Sequence, residues 1–144
     1  MTPTSSVRKA LTANDLGLTG THQAGILIPK VSEVLAFFPR LDEDEYNPDI
    51  ELSVKTPATN EWWEIRFVYN NNKLHGCGTR NEYRLTRTGR MLIALGAAVG
   101  DEVIFSRDRV GDFVVSVEAT GQVASVDDKV TMLSNGWSVV LSKP

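Results

Sequence analysis

Hydrophobic residues alternate with polar ones through much of this chain and fall into helical spacing only twice. Residues 50–55 place Ile50, Leu52 and Val54 on one side, the pattern of a half-buried strand. Residues 61–70 split more sharply. Trp63, Ile65, Phe67 and Tyr69 form a uniformly apolar face, and Trp62, Glu64, Arg66 and Val68 a mixed one, so the first set is expected to face the core. Residues 25–28 are a short apolar strand that stops at Pro29. Residues 101–105 and 113–117 read as a hairpin whose longer loop carries Arg107, Asp108, Arg109 and Gly111. Residues 122–126, 130–133 and 137–141 supply further short β segments.

Helical spacing appears at Val31, Val34, Leu35 and Phe38, a short helix ended by Pro39. It appears again at Met91, Leu92, Leu95 and Val99, where Gly96 weakens the pattern. The sum is a mostly β domain of about seven to eight closely spaced strands with two short helices, which suggests a barrel. Residues 1–10 begin with small polar side chains and are expected to form a flexible segment, with residues 11–144 as a single domain.

Composition fits an ordinary globular domain: 144 residues, 42% hydrophobic and 23% charged. The formal net charge of −3 argues against nucleic acid only until its distribution is read. Residues 41–64 hold eight acidic side chains and one lysine, whereas residues 65–92 hold six Lys or Arg and only Glu82. A local basic patch matters more for binding than the whole-chain charge. Cys77 is the only cysteine, so no internal disulfide can form, which suits a reducing cytoplasm. No Cys or His spacing suggests zinc. The longest apolar run, residues 91–99, is too short to span a bilayer, and the N-terminus has no signal core. No metal site, cofactor or membrane partner is expected.

The candidate chemistry centres on residues 79–90, TRNEYRLTRTGR, with four arginines and one acid. In an extended chain Arg80, Glu82 and Arg84 point one way and Asn81, Tyr83 and Leu85 the other. Arginine can grip guanine O6 and N7 with two hydrogen bonds, and a carboxylate can accept from the cytosine amino group. A carboxylate inside a phosphate-binding surface is costly unless it reads a base. The alternative is an exposed strand whose charges pair across to a neighbour. A second stretch, LTANDLGLTGTHQAGILIPK at residues 11–30, is a turn-rich loop leading into a core strand. It reads either as plain surface or as an arm presenting Thr19, Thr21, His22 and Gln23, with His22 alone more often structural. Residues 41–49 read as a solvated acidic connection.

These two stretches resemble the N-terminal effector-binding domain of EcoRII-type restriction endonucleases. That family shows an ANDxGxTGxHQxGxxIP segment followed by a TRNExRxTRxGR segment, in the order seen here. The later GDEVIF string resembles a strand of the related plant transcription-factor pseudobarrels. The resemblance implies a prokaryotic, cytoplasmic DNA-binding pseudobarrel whose two arms enter the major groove at the sequence 5′-CCWGG. By analogy the arms are residues 14–23 and 79–87. Base-reading residues would be Arg80, Asn81, Glu82, Arg84, Thr19, Thr21, His22 and Gln23. Backbone contacts would come from Arg8, Lys9, Asn14, Lys73, Thr79, Tyr83, Arg87 and Arg90. The family carries a lysine two residues before the first arginine of the second arm and another after its glutamate. Here Gly78 and Tyr83 stand at those positions, so some phosphate contacts are missing or moved to Lys73.

In full-length members the domain binds an additional copy of the site and regulates a separate nuclease domain, which would need Mg2+. The resemblance thus implies that this chain alone is not an enzyme and holds no catalytic residues. Two competing readings remain. One is a self-sufficient metal-dependent nuclease using Asp49, Glu51 and Lys55 of PDIELSVK, although the spacing of a nuclease acid–acid–lysine set fails. The other is a non-DNA interaction module, a protein or sugar binder, on the same fold.

Overall fold

Strand β4 (Glu61–Asn70) is the longest among the described residues, and its apolar alternation sets the direction of the core. Ile65, Phe67 and Tyr69 are buried on the inner face, while Trp62 is 59% exposed on the outer one. The structure is a computed structural model and describes residues 4–18, 25–119, 129–132 and 136–141, with the backbone alone at residues 4, 5, 129–132, 140 and 141. On one side β4 pairs antiparallel with β3 (Asp49–Thr56), on the other with β5 (Glu82–Thr86). β2 (Ile26–Ile28) adds beyond β5. β3 continues, in parallel, to β7 (Phe113–Glu118), which forms the expected hairpin with β6 (Glu102–Arg107).

β6 then pairs with β1 (Thr4–Ala10), β1 with β9 (Trp137–Leu141), and β9 with β8 (Lys129–Met132). Among the described residues the result is one sheet of nine strands in the order β2-β5-β4-β3-β7-β6-β1-β9-β8. It is the mostly β barrel that the strand spacing suggested, in the pseudobarrel form that the resemblance implied. The sheet curls far enough that β9, next to one edge strand, meets β2, the other edge strand. The indole Nε1 of fully buried Trp137 on β9 donates to the carbonyl of Leu27 on β2 at 3.1 Å. A buried indole N–H is costly without a partner, so this bond both satisfies it and ties β9 to β2.

Helix α1 (Ser32–Leu35) is shorter than residues 31–38, but Val34, Phe37 and Phe38 are buried. Phe38 stacks on Phe67 at 5.1 Å, and Phe67 on Tyr83 at 5.7 Å. Helix α2 (Gly89–Ala94) buries Met91 and Leu92 and ends before Gly96, so only part of residues 88–100 is helical. The expected strand at residues 122–126 lies outside the described residues.

One expectation is corrected. Residues 4–10 are not a flexible segment but strand β1, hydrogen-bonded on both sides between β6 and β9. Val7 is fully buried there. The polar run Thr4–Ser6 hid the strand, because a central strand takes its stability from two ladders of backbone hydrogen bonds as well as from side-chain alternation.

Candidate nucleic-acid interface

The sheet face turned away from the core carries the charge. On β5, Tyr83 and Leu85 point into the core while Glu82, Arg84 and Thr86 point outward. Register then fixes the outer neighbours. Leu27, Arg84, Val68 and Asp49 form one row, and Thr86, Arg66 and Glu51 the next. The acidic and basic blocks of the sequence are therefore interleaved on adjacent strands. Arg66 Nε lies 2.6 Å from Asp49 Oδ2, and Arg87 Nη1 lies 2.8 Å from Glu51 Oε1.

The Arg80, Glu82, Arg84 row exists as predicted. Glu82 lies between its neighbours, with Oε2 3.4 Å from Arg84 Nε and Oε1 3.9 Å from Arg80 Nε. Exposure is graded along it: the Arg80 side chain is 47% exposed, Glu82 22% and Arg84 7%. Low local polarity around Arg84 strengthens its attraction to Glu82 relative to a pair in open water.

The loop between β4 and β5 leads into this row. Its root is Asn71, which is fully buried and fully used. Asn71 Nδ2 donates to the carbonyls of Glu43 and Glu45, and its Oδ1 accepts from the Asn47 amide at 2.7 Å. Asn47 Oδ1 in turn accepts from the Asn71 amide at 3.1 Å. The acidic connection thus buttresses the loop rather than merely being solvated. A 3-10 turn, Asn72–His75, follows, and the Lys73 amide donates to the Arg80 carbonyl at 2.9 Å, closing the loop. Lys73, Thr79, Arg87 and Arg90 are exposed. The segment expected as an arm at residues 79–87 is part loop and part sheet, since Glu82–Thr86 is strand β5.

Asn81 is held rather than presented. Its Oδ1 accepts from both the Tyr69 hydroxyl and Lys30 Nζ. Sequence reasoning missed Lys30 and Tyr69, which have no local signal of this role.

The segment expected as the first arm is described at its start. Lys9 Nζ and Asp15 Oδ2 are 2.5 Å apart, with both side chains nearly inaccessible. Asp15 also accepts from the Thr12 amide at 2.9 Å, and the Asp15 amide donates to Thr12 Oγ1 at 3.2 Å. Asn14 is part of this turn, its carbonyl accepting from the Gly17 amide at 3.0 Å. Where the chain returns into β2, Gly25 has φ +98° and a Cβ there would lie 2.1 Å from the Leu85 carbonyl oxygen. Only glycine lets the chain enter β2 so close to β5. Thr19, Thr21, His22 and Gln23 lie outside the described residues.

Three residues expected at the DNA backbone are internal. Lys9 is consumed by Asp15. Arg8 is 7% exposed and donates to Glu118, with Glu102 at 3.9 Å. Glu102 and Glu118 face each other across the β6–β7 pair, so Arg8 neutralises two opposed carboxylates. Tyr83 stacks on Tyr69 at 4.1 Å inside the core, and burial, the largest cause, raises its hydroxyl pKa. The nuclease-like set is dispersed as well. Asp49 and Glu51 are arginine counter-ions, and Lys55 pairs with Asp108 and approaches Asp112 across the β3–β7 seam.

Comparison with known proteins places this arrangement. The family model described as restriction endonuclease EcoRII, N-terminal, matches residues 3–126. The type II restriction enzyme EcoRII of Escherichia coli is 40% identical over 81 residues, which cover 55% of this chain and 20% of that enzyme. The chain thus matches about a fifth of the length of that relative. Among solved structures, the Arabidopsis FUS3–DNA complex aligns with a TM-score of 0.61 at 19% identity, covering 79% of this chain and 96% of the other. The B3 domain of the UbaLAI restriction endonuclease, crystallised with cognate DNA, aligns with a TM-score of 0.53 at 20% identity, covering 84% and 72%. At such identities these two likenesses carry the fold.

Proposed function

We propose that this chain, which belongs to the family of EcoRII N-terminal domains, binds double-stranded DNA sequence-specifically, at 5′-CCWGG, with two arms in the major groove. The observation that carries the reading is Glu82 held between Arg80 and Arg84 on an outward face. Arg80, 47% exposed, is the guanidinium open to a guanine edge, Arg84, 7% exposed, would have to emerge from the sheet to meet one, and the carboxylate between them can accept from cytosine. Orientation before binding lowers the entropy cost of ordering long side chains. A glutamate at the heart of a basic surface opposes phosphate and favours a base edge, which is how a charged row discriminates rather than merely attracts.

Lys73, Thr79, Arg87 and Arg90 supply phosphate contacts around this row. Thr19, Thr21, His22 and Gln23 of the first arm add base contacts, with Asn14 at its root. Asn81 supports the row through Lys30 and Tyr69. The structural neighbours are complexes with DNA and the relative is a restriction enzyme, which supports DNA as the ligand. In a longer protein the domain would serve as the effector module of a nuclease domain that uses Mg2+; the chain itself needs no cofactor to bind.

The test is a titration of labelled CCWGG and scrambled duplexes over a range of salt concentrations. The cognate duplex should bind more tightly, and three charged phosphate partners should give a slope of log K against log salt of about −2.7. Equal affinity for both duplexes, or none for either, would reject sequence-specific recognition.

A further inference from the structure

The outer face contains a second set of carboxylates that base reading does not use. Asp49 and Glu51 sit at alternate positions on β3, so both point outward, and each lies against an arginine from the basic block. Arg66 is the cross-strand partner of Glu51 on β4 and bonds Asp49 one row along. Arg87 follows β5 with φ 63°, a left-handed turn for a non-glycine residue. It reaches over β4 to donate to Glu51. The row of Arg66, Thr86 and Glu51 adjoins the row containing Arg84, so these pairs border the recognition row directly.

We infer that Asp49 and Glu51 are internal phosphate mimics that occupy Arg66 and Arg87 in the free domain and restrain its affinity for DNA of any sequence. The inference rests on the DNA-binding reading and extends it to a device that reading does not need. A carboxylate presents to guanidinium the same pair of acceptor oxygens as a phosphate. DNA must therefore displace Glu51 before the Arg87 Nη1 that it holds can contact the backbone. The Arg87 hydrogen bond, the largest cause, holds the Glu51 pKa below its ordinary value, so the pair is fully charged at neutral pH. This restraint is blind to sequence, which leaves the Arg80, Glu82, Arg84 row to decide where the domain stays.

The experiment is a double-mutant cycle on DNA binding. E51Q, R87Q and the double variant are titrated against cognate and scrambled duplexes at matched salt. In the wild-type background E51Q should tighten both duplexes by a similar factor of about two to five, the range of an exposed ion pair. In the R87Q background it should change neither, because its effect acts through Arg87. D49N with R66Q forms a second, independent cycle with the same expectation. Equal tightening by E51Q in both backgrounds would mean general electrostatics and overturn the inference while leaving DNA recognition intact. No effect in either background would do the same. A wild-type domain that binds neither duplex would overturn both.

Discussion

Lys9 and Asp15 form an ion pair 2.5 Å apart that ties strand β1 to the root of the first arm, with both side chains about 5% exposed. Charges so deeply withdrawn are tolerated only together, since either one alone would face a desolvation cost without compensation. Asp15→Ala should therefore destabilise the domain by about 3–5 kcal/mol in denaturant melts. Were Lys9 a phosphate contact, Lys9→Met would reduce the salt slope and leave stability untouched. The structure predicts the reverse, a large loss of stability.

Gly25 is required by space as well as by torsion. Gly25→Ala puts a methyl group 2.1 Å from the Leu85 carbonyl at φ +98°. It should destabilise by more than about 1 kcal/mol and broaden the amide signals of β2 and β5. A melt identical to wild type would mean that Gly25 does not pack against the Leu85 carbonyl as the structure has it.

The Lys55–Asp108 pair gives a pH signature. Its hydrogen bond, the largest cause, lowers the Asp108 pKa below 3.8 and raises that of Lys55 above 10.5. For a carboxyl with a depressed folded-state pKa, the contribution is present above the unfolded value and is lost as pH falls through the folded one. For a lysine with a raised pKa, the contribution is present below the unfolded value and disappears as pH rises through the folded one. The pair should therefore hold β3 to the β6–β7 loop across the neutral range and release it at either extreme. Side-chain NMR titration should show a higher Asp108 pKa in Lys55→Met than in wild type, with the Val110 and Asp112 amides still lowering it; an unchanged value would rule out Lys55 as the main cause.

Strand alternation made much of this architecture legible. Trp63, Ile65, Phe67 and Tyr69 declared the inner face of β4, and the same parity placed Glu82 with Arg80 and Arg84. What stayed hidden was the identity of long-range counter-ions. Arg8 and Lys9 look alike in sequence and both suggest exposed cation. Arg8 is neutralised by Glu118, 110 positions away, and Lys9 by Asp15, six away, and nothing local announces either pairing. The charge blocks misled in a related way. Residues 41–64 and 65–92 look like separate acidic and basic surfaces, but antiparallel pairing of β3 with β4 lays them side by side. Tyr83 is expected at the DNA backbone, and its stacking on Tyr69 puts it in the core instead.

Asn71 tests the buttress of the second arm. Its side chain satisfies two carbonyls and one amide while fully buried. Asn71→Ala leaves those groups without their partner and should cost about 2–3 kcal/mol. It should also weaken cognate DNA binding by loosening the loop that precedes Arg80. A stable variant with unchanged binding would show that the acidic connection does not support the arm.

Recognition by the arginine–glutamate row is the central claim, and Glu82→Gln tests it most directly. The substitution keeps size and removes the charge that holds Arg80 and Arg84. Wild type and variant are titrated with cognate and scrambled duplexes at one salt concentration. If Glu82 reads a base and orients both arginines, the variant loses cognate affinity by about 1–3 kcal/mol while scrambled-duplex affinity stays level or rises. Uniform tightening on both duplexes would contradict the account, because it would make Glu82 a bystander charge that only repels phosphate.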